Sequence, residues 1–153
     1  MPASLVAVAL ATLVQTSSAP DDVCYDLAIV GRMRDARNFV DLNDLVPPQT
    51  PRDVLMGGRV DIDIGVDQVL VGVPASSTIR ARAVLTHLLK PTARLVILLR
   101  RGPVEPGRGN TVQAWNGGFI PRASTEFPWR VVVIRSWSAG FDPADPSLPP
   151  RCS

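Results

Sequence analysis

The chain has 153 residues, of which 16 are Lys or Arg and 14 are Asp or Glu, so its formal net charge is only +2. A chain of this length forms one ordinary domain, and we do not expect a second domain. The near-neutral charge gives no basis for predicting nucleic-acid or membrane-surface binding, because such binding needs cationic residues concentrated on one face. The sequence has a single His, which excludes most metal chemistry.

Residues 4–19 form an apolar run that ends in small polar residues, which is typical of an export signal. The apolar part, residues 5–14, has the ~7–15 residues of a secretory h-region and falls short of the ~20 needed to span a bilayer. No Lys or Arg precedes it. We expect residues 1–19 to be a secretory signal peptide and the protein to be periplasmic or secreted. The alternatives are a buried N-terminal helix or strand, and an uncleaved segment that tethers the domain to the inner membrane.

Cys24 and Cys152 lie near the two ends of the expected mature chain. In an oxidising compartment an isolated pair of this kind is most simply one disulfide, which would tie the termini together. Closing a loop of this length contributes roughly 4–5 kcal/mol to stability if chain entropy alone is counted. Without export, two free thiols are the better interpretation. Neither Cys has a neighbouring Cys or His at zinc-ligand spacing.

The first predicted strand covers residues 26–33 and is bent at Gly31. Residues 34–45 are ambiguous, because their apolar positions also fit one face of a helix; we favour a continuing strand that becomes a loop. Three prolines within residues 47–51 exclude regular structure there.

Strict alternation of apolar and charged residues predicts a strand over residues 59–70, and the pattern repeats over residues 78–86. The turn between them predicts a hairpin with the Asp and Arg side chains on one face. We expect Asp67 to lie near Arg80 or Arg82.

The remaining strands are predicted at residues 94–100, an apolar run suited to a central strand covered on both sides, and at residues 111–115 and 129–137. Residues 142–153 are rich in proline and predict an extended or disordered tail. Without a strong helix, these elements predict a mostly β protein: a small five- or six-stranded OB-like barrel over residues 20–141.

Candidate chemistry is sparse. The spaced carboxylates of residues 61–67 superficially suggest a calcium loop, but the intervening aliphatic residues require an extended strand whose carboxylates point away from a common ion. His87 is a candidate general base for Ser76, Ser77 or Ser138, yet no GxSxG sequence surrounds any Ser. We therefore expect no metal, no cofactor and no catalytic residue, with a hydrolase using His87 as the alternative.

Aromatic residues concentrate late in the chain and are interspersed with arginines, which suits stacking and charge contacts with an anionic or sugar-like ligand. The candidate ligand-binding residues are Trp115, Arg122, Trp129, Arg130 and Trp137. Alternation places Trp129 and Trp137 on the same face of their strand. Packing in a core is the competing interpretation of these aromatics.

Three segments together resemble the netrin-like, tissue-inhibitor-of-metalloproteinases-like OB-fold domains of exported bacterial proteins. They are Asp-Leu-Ala-Ile-Val-Gly-Arg at residues 26–32, Val-Asp-Gln-Val-Leu-Val-Gly at residues 66–72, and Lys-Pro-Thr-Ala-Arg-Leu-Val-Ile-Leu-Leu at residues 90–99. The resemblance implies an OB fold. It implies no inhibitory residue, because those inhibitors use an N-terminal Cys and Cys24 lies inside either expected cleavage product.

The sequence as a whole predicts an exported, non-catalytic binding or envelope-associated module. Its expected partner is a protein or glycan of the cell envelope, with no nucleic acid and no stable membrane span after cleavage. Neither the export signal nor the fold identifies the ligand.

Overall fold

A computed structural model describes residues 23–46, 55–87, 89–102, 112–115 and 118–153. The expected signal peptide, the proline cluster of residues 47–51 and residues 103–111 lie outside these ranges. The described elements are β1 (Leu27–Asp41), α1 (Leu42–Leu45), β2 (Gly58–Val71), β3 (Thr78–Leu85), β4 (Leu95–Arg101), β5 (Val112–Trp115), β6 (Gly118–Pro121) and β7 (Trp129–Ser136). None of the described helices has the length and apolar character to cross a membrane.

Five strands close into a barrel in the order β1-β2-β3-β7-β4, with β4 pairing back to β1. All neighbouring pairs are antiparallel except β3 and β7, which run parallel. The hairpin β5-β6 is a separate two-stranded sheet inserted between β4 and β7. This is the OB-like barrel that the strand pattern predicts.

The barrel interior is filled by aliphatic side chains from alternate positions of all five strands. They are Leu27, Ile29, Met33, Val60, Ile62, Ile64, Ile79, Ala81, Ala83, Leu85, Leu95, Ile97, Leu99 and Val131. β4 is buried on both faces, because Val96 and Leu98 pack into a second cluster outside the barrel. Its apolar run is therefore that of a central strand, as predicted.

β1 extends well beyond the predicted first strand, and only residues 42–45 of the ambiguous segment are helical. Its ladder with β2 shifts register between Met33 and Asp35 and again between Arg37 and Val40. Gly31 allows β1 to approach β2 closely, because a Cβ at this position would meet the carbonyl oxygen of Gly65 at 2.5 Å. Gly31 thus marks a close backbone contact, and the bend at this residue stays a prediction.

The hairpin of β2 and β3 forms in the predicted arrangement, but the expected partners of Asp67 are wrong. Its carboxylate lies 3.4 Å from Arg32 Nε and 3.8 Å from Arg94 Nε. The β2-β3 ladder ends at the pair Gly65 and Thr78, so Asp67 lies beyond it and faces β1 and β4 instead.

The C-terminal residues form the outer layer over β1 and β4. Leu148 is buried with Tyr25, Val96 and Leu98, and Phe141 packs against the same cluster. The segment expected to be extended or disordered makes consecutive turns at Asp142 and Asp145. Tyr25 N donates to the Pro150 carbonyl at 3.1 Å, and Cys152 N donates to the Tyr25 carbonyl at 2.9 Å. The predicted disulfide between Cys24 and Cys152 joins these two segments, with Cα atoms 4.9 Å apart.

Candidate functional site

The structure does not bring Trp129 and Trp137 together. Trp129 packs against the barrel interior, with Arg101 Cζ 5.9 Å from its ring centroid. Trp137 packs in the outer cluster under the C-terminal segment. Trp115 ends β5, and its side chain lies outside the described structure.

A bulge in β7 causes this separation. Leu98 pairs with Val133 while the adjacent Leu99 pairs with Val131, so Val132 has no opposite residue on β4. The extra residue reverses the alternation of side chains along the strand. The prediction that Trp129 and Trp137 share a face is therefore wrong.

The predicted arginines lie on the outside of the barrel rather than beside an exposed tryptophan. Arg130 is buried and lies next to Arg82 on β3 and Arg100 on β4 in the sheet register. Arg122 follows β6 and is half-buried. Both make side-chain interactions within the protein. Their assignment as ligand-binding residues stays a prediction.

His87 lies in an exposed position directly after β3. Its Nδ1 is 3.2 Å from Thr86 Oγ1. Within the described ranges, no carboxylate or serine hydroxyl makes a hydrogen bond to the imidazole, and no group of three or more His, Cys, Asp or Glu is placed to hold a metal. The described residues around His87 therefore do not include a hydrogen-bonded Ser or Asp partner of the kind a catalytic triad has.

His87 instead lines an apolar groove at the end of the barrel where β1 and β3 finish and β2 begins. The groove has a volume of about 440 Å³. We call it the Phe39 groove; its walls include Ala36, Phe39, Gly57, Val60, Leu85 and His87. Concave and predominantly apolar surfaces with a few polar groups are the usual form of ligand sites.

Phe39 forms the outer wall of this groove and is 60% exposed, which is unusual for an aromatic side chain in a strand. The second bulge of β1 explains its position, because Asn38 adopts a left-handed conformation with φ 58°. Asn tolerates this conformation better than most residues. The Phe39 ring then lies against Gly58, where a Cβ would come within 2.5 Å of two ring carbons.

A network of charges holds the bulged part of β1 against β2. Asn38 Nδ2 donates to Asp61 Oδ2 at 3.0 Å, and Arg37 Nη1 contacts Asp35 at 2.6 Å and Asp63 at 3.1 Å. The hydrogen bond to Asp63 is the main reason why the pKa of Arg37 is raised. Arg37 therefore stays charged at physiological pH.

The loop between β6 and β7 closes over the same face of the sheet. Phe127 is only 1% exposed and lies between two guanidinium groups, with Arg37 Cζ at 5.1 Å and Arg80 Cζ at 5.8 Å from its ring centroid. Glu126 adds a contact of 3.7 Å to Arg80. This loop occupies the outer face of β2 and β3, and it does not line the Phe39 groove.

Sequence reasoning missed the groove because Phe39 was treated only as part of an ambiguous strand. The usable signal was the dipeptide Asn-Phe within that strand, since Asn is a common left-handed residue in bulges.

Comparison with protein-family models, curated proteins and solved structures finds no match to this chain. The netrin-like resemblance of the three quoted segments stays a prediction.

Proposed function

We propose that the protein is an exported binding module that holds an apolar group of its ligand in the Phe39 groove. The observation that carries this proposal is the exposed Phe39 ring, fixed by a bulge and by contact with Gly58 at the rim of an apolar concavity. An exposed aromatic side chain loses little conformational freedom on binding when it is already held in place, so affinity increases. Met56, which is 72% exposed and precedes Gly57, adds apolar surface beside the groove.

Export is supported by the single disulfide, because such bonds persist in oxidising compartments and are rare in the cytosol. Every described Cys is in this bond. The test is the intact mass of the protein expressed in a Gram-negative host with its own N-terminus, alkylated before and after reduction. Loss of residues 1–19 or 1–18, with both thiols blocked until reduction, supports export. A full-length product with two free thiols contradicts it.

The groove is tested by titrating the ¹⁵N-labelled protein with the apolar fluorescent probe anilinonaphthalene sulfonate. We expect saturable shifts at the amides of Ala36, Gly57 and His87, and loss of these shifts in Phe39→Ser. Val73→Ser is the matched control, because Val73 is 92% exposed in the turn between β2 and β3 and does not line the groove. Equal binding to the wild type and to Phe39→Ser would contradict the proposal.

A further inference from the structure

The part of β1 beside the Phe39 groove has a free edge. β4 pairs with β1 only over Leu27–Gly31, whereas β2 pairs with β1 as far as Asp41. Residues 32–41 are therefore paired on one side only within the described structure. Most of their side chains are exposed. An exposed strand edge is a template for the addition of another strand.

The two bulges of β1 limit where a strand can add. Bulges blunt strand edges because they twist them and interrupt the regular spacing of backbone groups. Between the bulges, however, the ladder is regular, with Asp35, Ala36 and Arg37 opposite consecutive residues of β2. A partner strand is thus confined to a short segment centred on Ala36.

A second groove continues from the first along this edge. It has a volume of about 480 Å³ and lies between β1 and the connection that precedes β4. Its lining residues include Met33, Arg34, Asp35, Ala36, Lys90 and Pro91. Ala36 lines both grooves, so the two adjoin at the regular edge segment.

The charges along the second groove favour an acidic partner. Arg34 and Lys90 are both exposed, and neither has a carboxylate within salt-bridge distance in the described parts of the chain. Asp35 also lines this groove, but its carboxylate is already bound by Arg37 at 2.6 Å, which offsets its charge. Complementary charge of this kind selects the partner and speeds association.

From these features we propose that the partner is an extended polypeptide segment that adds as a short strand to β1 at Ala36. Its bulky apolar side chain occupies the Phe39 groove, and its acidic side chain contacts Lys90. Main-chain hydrogen bonds supply affinity in this binding mode, and the side-chain grooves on either side supply specificity. The inference rests on the proposed function, since it assigns a class of ligand to the same groove.

The test uses three capped seven-residue peptides and the full-length oxidised protein. The first peptide has one central leucine flanked by glutamates, the second replaces the glutamates with lysines, and the third is the acidic peptide with N-methylated central amides. We expect the acidic peptide to bind at least about tenfold more tightly than the lysine peptide, a difference of roughly 1.4 kcal/mol. N-methylation should abolish binding, because the main chain then loses its hydrogen-bond donors.

Two further measurements locate the binding. Amide hydrogen exchange should slow within residues 35–37 when the acidic peptide binds and stay unchanged within residues 27–31, which are already paired on both sides. Lys90→Glu should reduce the preference for the acidic peptide by about threefold to tenfold. Arg151→Glu is the control of equal charge change, because Arg151 is exposed on the C-terminal segment.

The inference is overturned if the acidic peptide shows no preference, if the N-methylated peptide binds equally well, or if Lys90→Glu and Arg151→Glu behave alike. These outcomes differ from failure of the proposed function. If no peptide binds while anilinonaphthalene sulfonate still shifts the groove amides, the peptide inference fails and the apolar binding site stands. If the apolar probe also fails to bind, the proposed function fails with it.

Discussion

Asp61 and Arg82 lie directly opposite each other on β2 and β3, and Arg82 Nε donates a hydrogen bond of 2.8 Å to Asp61 Oδ1. The Asp61 side chain is only 3% exposed and that of Arg82 is 12% exposed. Arg59 is buried beside them, and its pKa is lowered by burial first and by the charge of Arg82 second. The carboxylate of Asp61 therefore compensates the positive charges of Arg59 and Arg82, which lie close together in a poorly solvated part of the protein.

We expect Asp61→Ala to lower the free energy of unfolding by about 3–5 kcal/mol, because it removes one partner of a buried ion pair and leaves the other. Urea denaturation followed by circular dichroism measures this change. Asp67→Ala is the control: its ion pairs with Arg32 and Arg94 are half exposed, so its loss should cost less than about 1 kcal/mol. Equal effects of the two substitutions would show that burial does not decide the strength of these pairs.

The disulfide should stabilise the whole domain. Cys24 and Cys152 are separated by 128 residues, and a closed loop of this length contributes about 2–5 kcal/mol to the free energy of unfolding. We expect the double variant Cys24→Ser, Cys152→Ser to unfold at lower urea concentration by a corresponding amount. A reductant should shift the wild-type midpoint and leave the double variant unchanged. An equal shift of both proteins would point to an effect of the reductant unrelated to this bond.

Gly31 should tolerate no side chain. A Cβ there would come within 2.5 Å of the Gly65 carbonyl oxygen and 3.1 Å of an Ile64 methyl carbon, so β1 and β2 would have to separate. We expect Gly31→Ala to destabilise the protein by about 1–3 kcal/mol, as overpacking of a tightly packed site does. Gly140→Ala is the matched control, since a Cβ at Gly140 has no atom within 4 Å among its described surroundings. A thermal denaturation series compares the two variants.

Two aspartates, Asp41 and the half-buried Asp145, should titrate below the ordinary aspartate range. Asp41 Oδ1 accepts hydrogen bonds from Asn43 N at 2.9 Å and Asn43 Nδ2 at 2.7 Å, and the pKa of Asp41 is lowered chiefly by the backbone bond. Asp145 Oδ1 accepts from Ser147 N at 2.8 Å, which lowers the pKa of Asp145 in the same way. Both hydrogen bonds are strongest when the carboxylate that accepts them is ionised.

The sign of the resulting pH dependence follows from these lowered pKa values. Each aspartate contributes stability that is complete above its unfolded-state pKa of about 3.9 and is lost as the pH falls through its lower folded-state pKa. Carboxyl ¹³C titration should show both pKa values below that of an unstructured aspartate. Asn43→Ala should raise the pKa of Asp41 part of the way, because the backbone donor remains, and leave Asp145 unchanged. A shift of both carboxyls would contradict independent local causes.

Several features of the fold could be predicted because they depend on residues close in the sequence. The alternation in residues 59–70 and 78–86 predicts the β2-β3 hairpin, since a strand with one buried face repeats every two residues. The apolar run of β4 predicts burial on both faces. The pairing of Cys24 with Cys152 is the only disulfide that two cysteines allow within one chain.

The predicted site residues show which features local sequence patterns do not predict. Trp129 and Trp137 have the spacing of one face, but the bulge at Val132 turns them to opposite sides of the sheet. The C-terminal prolines suggested an extended or disordered tail, yet Leu148 packs into a hydrophobic cluster with Tyr25. In both cases the outcome depends on a neighbouring strand or layer that the local pattern does not contain.

The sequence by itself determined the strand content, the hairpin and the cysteine pair of this protein. Side-chain periodicity is a local property of the chain, and two cysteines allow only one pairing. Only the tertiary structure decided that Phe39 is exposed beside Gly58 and that Trp137 is partly buried in the outer cluster. It also decided that β1 keeps a free edge near Ala36. Bulges shift every later side chain to another face, and a strand edge is free or paired according to how far its neighbour extends.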